Sequence, residues 1–232
     1  MPRMQILTAA EQQAFDTPPV FSGTQRETFF HVADSLREVL ATLRSPTNRV
    51  CLVLSVGYFR VAKRFFGASF HQADVAYVAH QLGYALDQID LDTYDAKASA
   101  SRHRRLTLDY LGFRPFNDQA REDIAQEIRT MVRSQLRPKA IFFQVLTLLE
   151  ARKTEIPSAY ALTELITHES QQHQRQLTHT IEAHLSPTHR ALLDALVDKQ
   201  EALWPSEPHI QRYKLTAAAE SLRSFLLPWR SP

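Results

Sequence analysis

The residues best suited to chemistry form a short basic stretch in the middle of the chain: Arg102, His103, Arg104 and Arg105. Guanidinium groups bind phosphate oxygens, and in the major groove of DNA they can bind the O6 and N7 atoms of guanine. The stretch therefore indicates a surface that faces something acidic. The alternative is a solvated helix face on which Arg105 pairs with Asp109. Such an i,i+4 pair stabilises a helix by only about 0.3 kcal/mol.

A second basic segment lies upstream, between residues 39 and 73. It contains no Asp or Glu, and its basic residues are Arg44, Arg49, Arg60, Lys63 and Arg64. The next segment, residues 74–95, has the opposite sign, with five aspartates and no Lys or Arg. The formal net charge of the whole chain is only +2. The separation of charge along the sequence is therefore more informative than the total.

These basic segments, together with Arg114, supply the candidate residues for contact with an acidic partner. We predict that they converge from separate helices into one surface, and that the contacts come from Arg49, Arg60, Lys63, Arg64, Arg102, His103, Arg104, Arg105 and Arg114. Cationic side chains that neutralise phosphates release counterions, so affinity should fall steeply with salt. The sequence leaves open which of these residues contact bases and which contact phosphates.

Metal and cofactor chemistry receives little support. One predicted helix carries four histidines, His168, His173, His179 and His184. Partners five residues apart point about 140° away from each other, whereas zinc pairs on helices need a spacing of four. Asp90 and Asp92 lack the glycine turn of a calcium loop. We expect polar surface residues here, with no metal and no cofactor.

Catalytic motifs are not recognisable either. The sequence offers no glycine-rich phosphate loop, no Ser-His-Asp arrangement and no pair of carboxylates that stands out. Cys51 lies in an apolar run, which predicts a buried structural thiol in a reducing compartment. An enzyme is therefore not expected. No apolar run approaches the ~20 residues of a membrane span, so we expect a cytoplasmic protein that does not enter the membrane.

The elements that must position the basic residues are helices. Thr24 and Glu27 match a capping box, which predicts one helix from there to Ser45. A second helix is expected over residues 47–66, and a third is expected to be capped by Asp74 and closed by Gly83. Gly57 inside the second helix costs about 1 kcal/mol relative to Ala. Close packing of a neighbouring helix is the favoured explanation, and close approach of a phosphate backbone is the alternative.

The expected fold class is all-α, because Gly is scarce and Ala, Leu, Gln, Glu and Arg are abundant. We predict two helical subdomains, each a helix-turn-helix-like bundle, joined by short connections, with a long bridging helix from Ala159 to about Leu185. The predicted boundaries are residues 1–116 for a DNA-binding subdomain, 117–200 for a second subdomain, and 201–232 for an irregular tail.

Several motifs, in order, resemble the N-terminal region of replicative transposases of the Tn-three family. The matching residues are Leu7-Thr8, Asn48-Arg49-Val50, Gly57-Tyr58-Phe59, Arg64-Phe65-Phe66, Asp74, Tyr77-Val78, Gln81-Leu82-Gly83, Arg102-His103-Arg104 and Leu111-Gly112-Phe113-Arg114-Pro115-Phe116. The resemblance extends more loosely through Arg137-Pro138-Lys139 and Leu162, Leu165 and Ile166 to Leu196, so it covers roughly residues 5–200.

This resemblance implies binding of double-stranded DNA at the terminal inverted repeats of a transposon, in the bacterial cytoplasm and nucleoid. Family members cleave and join strands with a separate C-terminal domain of ribonuclease-H type, which has no counterpart in this sequence. The alternative is a truncated interaction module that pairs with full-length transposase, or with itself, and modulates it.

The sequence departs from the family pattern in two places. Ser55-Val56 stands where a longer apolar residue is usual, which we interpret as local variation. The segment Arg212-Tyr213-Lys214-Leu215-Thr216 resembles the family's continuation, but the residues from Ala217 onward do not. A shifted reading frame or a truncated gene after Thr216 would explain this change, and a short product intended as such is the alternative.

Overall fold

A computed structural model describes residues 4–95 and 99–198. Over this part of the chain the regular secondary structure is helical, which confirms the predicted all-α class. An isolated parallel bridge joins Arg114 to Thr154. The predicted tail, residues 201–232, and the change after Thr216 lie outside the described residues.

The helices follow one another with short connections. The first seven are α1 (Ala9–Asp16), α2 (Gly23–Phe29), α3 (Asp34–Ala41), α4 (Pro46–Ala62), α5 (Gln72–Gln81), α6 (Leu91–Asp95) and α7 (Ser99–Leu111). The remaining ones are α8 (Asp118–Arg133), α9 (Pro138–Ala151), α10 (Ala159–His184) and α11 (Pro187–Asp198). Among these described segments, none combines the length and the apolar character needed to span a membrane.

The predicted single helix from Thr24 to Ser45 is wrong, because the chain breaks between α2 and α3. The capping box lies two residues earlier than predicted, with Ser22 as the N-cap and Gln25 as its partner. Helix α2 then ends at Phe29, and α3 begins only at Asp34. The periodic apolar residues continue across the break because Phe30, Val32 and Leu36 all enter the same core.

Helix α4 lies at the centre of this first core. Ser45 accepts a hydrogen bond from Asn48 N at the start of the helix, and Pro46 occupies its first turn. Every residue from Val50 to Phe59 is buried. Helices α2, α5 and α7 all pack against it. Cys51 is among its buried residues, as predicted, and burial raises the pKa of its thiol to about 12.

Gly57 allows one of these contacts. A Cβ atom at this position would lie 2.3 Å from Cδ1 of Phe30 and 3.2 Å from the backbone oxygen of Phe29. The Phe30 ring is fully buried and packs edge-to-face on Phe21. The favoured explanation of this glycine, close packing of a neighbouring element, is therefore confirmed.

Asp74 does not cap α5 as predicted. The N-cap is His71, and Asp74 lies in the first turn, where its side chain is fully buried. Its carboxylate accepts hydrogen bonds from Arg26 Nε at 2.7 Å and from the Tyr58 hydroxyl at 2.5 Å. A short polar residue before an apolar run is typical of a cap, and the long-range partner Arg26 carries no local sequence signal.

Residues 4–173 form one compact unit, and this unit contains two hydrophobic clusters. The first cluster is built on α2–α5. The second is built on α8–α10 and also includes Ile6 and Leu7 from the N-terminal arm. Phe15 of α1 packs edge-to-face on Phe142 of α9 in this second cluster. The subdomain boundaries predicted from the sequence, after residues 116 and 200, stay predictions.

Residues 174–198 belong to a second unit, which contains the last turns of α10 together with α11. Ser158 and Ser186 cap these helices at their starts, since their hydroxyls accept hydrogen bonds from Ala161 N and His189 N. The second unit carries large apolar side chains that are exposed, namely Leu177, Ile181, Leu192 and Leu193.

His103 gives the fold a predicted dependence on pH. Its ring is 1% exposed and lies 3.1 Å from the Tyr94 hydroxyl through Nδ1. Burial, and then the nearby charge of Arg102, lower the pKa of His103 to about 4. The unfolded chain therefore binds more protons than the folded chain below pH 6.5, and stability falls as pH drops from about 6.5 to 4. The loss should reach about 3 kcal/mol.

Urea unfolding of the protein between pH 4 and 7.5 measures this dependence. A His103→Gln variant should have a flatter stability profile over this range than the parent protein. A His168→Gln variant, which changes an exposed histidine, should keep the parent profile. Equal stability profiles for the parent and His103→Gln would contradict the attribution of this pH dependence to His103.

Candidate nucleic-acid interface

Helix α7 turns one face to the core and the other to solvent. His103, Thr107 and Leu108 are buried, and the helix packs against α4. Arg102, Arg105 and Asp109 are exposed on the opposite side. Gly112, with φ of +68°, ends the helix. Helix α7 is therefore amphipathic, with Arg102 and Arg105 on its solvent side.

The side chains of Arg102 and Arg105 are exposed on the surface of α7. Among the residues that the structure describes, no carboxylate lies within 4.0 Å of either guanidinium. The pair between Arg105 and Asp109 that the alternative interpretation requires is therefore not formed. Two uncompensated positive charges, one turn apart, point into water on the same helix face.

Arg104 differs from its neighbours because it is bound to Glu155. The guanidinium is 47% exposed, and its Nε and Nη2 atoms lie 3.1 and 2.5 Å from Oε2 of Glu155. The carboxylate is buried, and it also accepts a 3.4 Å hydrogen bond from Phe116 N. Arg104 therefore neutralises a buried negative charge and links the two hydrophobic clusters.

Arg114 lies at the same junction, but among the described residues no carboxylate pairs with its guanidinium. Its backbone N donates to Lys153 O, and its backbone O accepts from Glu155 N, both at 2.9 Å. Its Nε donates to the Thr154 hydroxyl at 2.8 Å. Because this partner is neutral, the bond orients the guanidinium without compensating its charge. The exposed side chain remains available to an anion.

The basic residues at the end of α4 have different partners from those predicted. Arg60 Nη1 donates to Phe29 O at 2.9 Å and to His31 O at 3.4 Å, where α2 stops. Lys63 ends α4 in a left-handed conformation and donates to Arg60 O. Both side chains thus satisfy backbone carbonyls left free by helix ends.

Arg64 is also engaged within the protein. It is 7% exposed, and its guanidinium donates to Phe15 O at 2.7 Å and to Asp16 Oδ1 at 2.8 Å. It also stacks on the Phe15 ring at 4.2 Å. The predicted convergence of α4 and α7 arginines into one free surface is therefore not what the structure has, because Arg60 and Arg64 bind their own chain.

Arg49 and His103 complete the predicted set. Arg49 is half-buried, and it donates to Leu43 O at 3.0 Å and to the Tyr84 hydroxyl at 2.7 Å. His103 is buried beneath α7 rather than displayed on it. The structure places these two, together with Arg60, Lys63 and Arg64, in internal contacts, whereas Arg102, Arg105 and Arg114 reach solvent.

Sequence reasoning missed Thr154 and Glu155, which hold Arg114 and Arg104. They lie about 40 to 50 residues from their partners, and no local pattern indicates such a pairing. The histidines of α10 form no candidate metal site, since the described part of the chain contains no group of three His, Cys, Asp or Glu side chains that could hold an ion.

The fold and this surface define a class: an all-helical domain with exposed arginines on one face of α7. A family model described as a domain of unknown function, DUF4158, matches residues 6–168. The chain belongs to this family. No curated protein matches the chain.

Proposed function

We propose that this protein binds double-stranded DNA through the exposed face of α7. The observation that carries the proposal is the pair of exposed guanidiniums, Arg102 and Arg105, with no carboxylate within 4.0 Å in the described part of the chain. Arg114 adds a third charge near the end of the same helix. Unpaired cations are the groups that gain most from phosphate, because no salt bridge must be broken first.

The DNA we propose is the terminal inverted repeat of a transposon of the Tn-three family. The support is the motif order of the sequence together with family membership, since DUF4158 is found in transposases of that family. The proposed setting is the bacterial nucleoid. We assign the chain a binding role and no catalytic step.

Titration with two duplexes tests the proposal. One duplex carries the inverted repeat of the transposon that encodes the chain, and the other has the same composition in scrambled order. Tighter binding of the repeat at 0.15 M salt is expected. Equal affinity would reduce the function to non-specific DNA binding, and no binding of either duplex would overturn it.

The residues of α7 are tested by the double variant Arg102→Gln, Arg105→Gln. Each phosphate contact contributes about 0.9 to the slope of log affinity against log salt, so the slope should shrink by about two. The matched control is Arg121→Gln, Arg133→Gln, which removes the same charge from exposed positions of α8. A slope reduced equally in both variants would mean that only net charge matters.

A second candidate function is an interaction module that modulates full-length transposase. It is favoured by the exposed Leu177 and Ile181, one turn apart on α10, and the exposed Leu192 and Leu193 of α11, because exposed large apolar side chains are available for protein contacts. Analytical ultracentrifugation, with and without purified full-length transposase, tests it. Monomeric behaviour in both mixtures would exclude it.

A further inference from the structure

The turn that follows α9 carries a second basic side chain to the junction with Arg114. Lys153 is exposed and adopts a left-handed conformation with φ of 47°. Its carbonyl accepts the 2.9 Å hydrogen bond from Arg114 N, and the neighbouring bond from Glu155 N returns to Arg114 O. The bridge between Arg114 and Thr154 thus holds the two basic residues on adjacent backbone segments.

The two cations of this turn differ in charge compensation. Arg152 forms a salt bridge with Glu127 of α8. Lys153 forms no salt bridge within the described residues, and its backbone alone makes the contacts that build the turn. Within the described residues, its ammonium group therefore has no carboxylate partner, and the same is true of the guanidinium of Arg114. A compact cation on a flexible four-carbon stem suits phosphate rather than a base edge.

The conformation of Lys153 adds a second observation. A left-handed backbone costs a non-glycine residue roughly 1–2 kcal/mol, a strain that Gly would avoid. This conformation closes the C-terminus of α9, where Lys153 N donates to Glu150 O and Thr154 N donates to Leu149 O. The turn therefore fixes the position from which the Lys153 side chain leaves the backbone, next to Arg114.

We propose that Lys153 contacts a DNA phosphate, so that a bound duplex spans both hydrophobic clusters across the bridge between Arg114 and Thr154. This inference rests on the proposed function. It extends the proposed DNA-binding surface to Lys153, which lies outside the basic segments of the sequence. The site is then discontinuous, with α7 and Arg114 on one segment and the turn after α9 on another.

Salt titration of the full chain with the inverted-repeat duplex tests the inference. Lys153→Gln should reduce the salt slope by about one and weaken binding roughly eight-fold at 0.1 M salt. Lys153→Gly should do the same, and because Gly relieves the left-handed strain this variant should fold at least as well as the parent. The control is Arg133→Gln, a single exposed charge on α8.

The outcomes separate this inference from the proposed function. Lys153 variants that bind like the parent, while the α7 double variant is weakened, would overturn the inference and leave the function standing. A parent protein that binds no duplex would overturn both. A Lys153→Gln effect no larger than that of Arg133→Gln would also count against a specific contact.

Discussion

Replacing Asp74 with alanine is expected to lower the free energy of unfolding by about 3–5 kcal/mol, the usual cost of removing one partner from a buried ion pair. The carboxylate is fully buried between Arg26 and the Tyr58 hydroxyl. Its loss leaves a guanidinium that is only partly exposed, and a buried hydroxyl, without their acceptor. Such a loss is a large fraction of the stability of a typical domain.

Urea denaturation followed by circular dichroism measures this effect. Asp109→Ala, an exposed aspartate of α7 without a salt bridge, serves as the control and should stay within about 0.5 kcal/mol of the parent. Asp74→Asn keeps a hydrogen-bond acceptor and should fall between the two. An Asp74→Ala variant as stable as the control would show that the pair contributes nothing to stability.

The second large effect is expected at Gly57. Alanine at this position gains about 1 kcal/mol of helix propensity. Its Cβ, however, would lie 2.3 Å from the Phe30 ring, which is fully buried and held by Phe21 and Tyr58. Overpacking of this kind costs about 1–3 kcal/mol, and valine should cost more. We expect Gly57→Ala to be destabilising overall, against the propensity scale.

A double-mutant cycle with Phe30→Leu isolates the clash. Phe30→Leu alone should destabilise, because it removes part of a buried ring. The double variant should lose less stability than the sum of the losses of the two single variants, because the shorter side chain at position 30 makes room for the new methyl group. Strict additivity would mean that the Phe30 ring is not what makes glycine necessary at position 57.

Local patterns in the sequence predicted several helices and the solvent face of α7. The helices predicted over residues 47–66 and from Ala159 to about Leu185 correspond to α4 and α10, and Gly83, predicted to close a helix, follows α5. These features depend on residues within a turn or two of each other. The break between α2 and α3 was missed because the apolar spacing continues across it, whereas the contact that Arg60 makes with Phe29 O at the end of α2 comes from a distant part of the chain.

The difference between local patterns and distant contacts also applies to the candidate interface. Whether an arginine is free depends on what lies near it in space, and the sequence does not show this. Arg64 forms a salt bridge with Asp16, and Arg104 forms one with Glu155, and in each pair the two residues are about 50 positions apart in the sequence. Arg102 and Arg105 find no carboxylate within 4.0 Å in the described part of the fold. Charge runs alone could not separate these two kinds of arginine.

The position of α1 has a consequence for the order in which the protein acquires structure during its synthesis. Ile6, Leu7 and Phe15 leave the ribosome before the side chains that cover them, and Phe142 follows more than 100 residues later. At roughly 5–20 residues per second, this delay is on the order of 10 s. During that interval the apolar side of the nascent N-terminal helix is open to chaperones, and the second cluster closes only when α9 has been made.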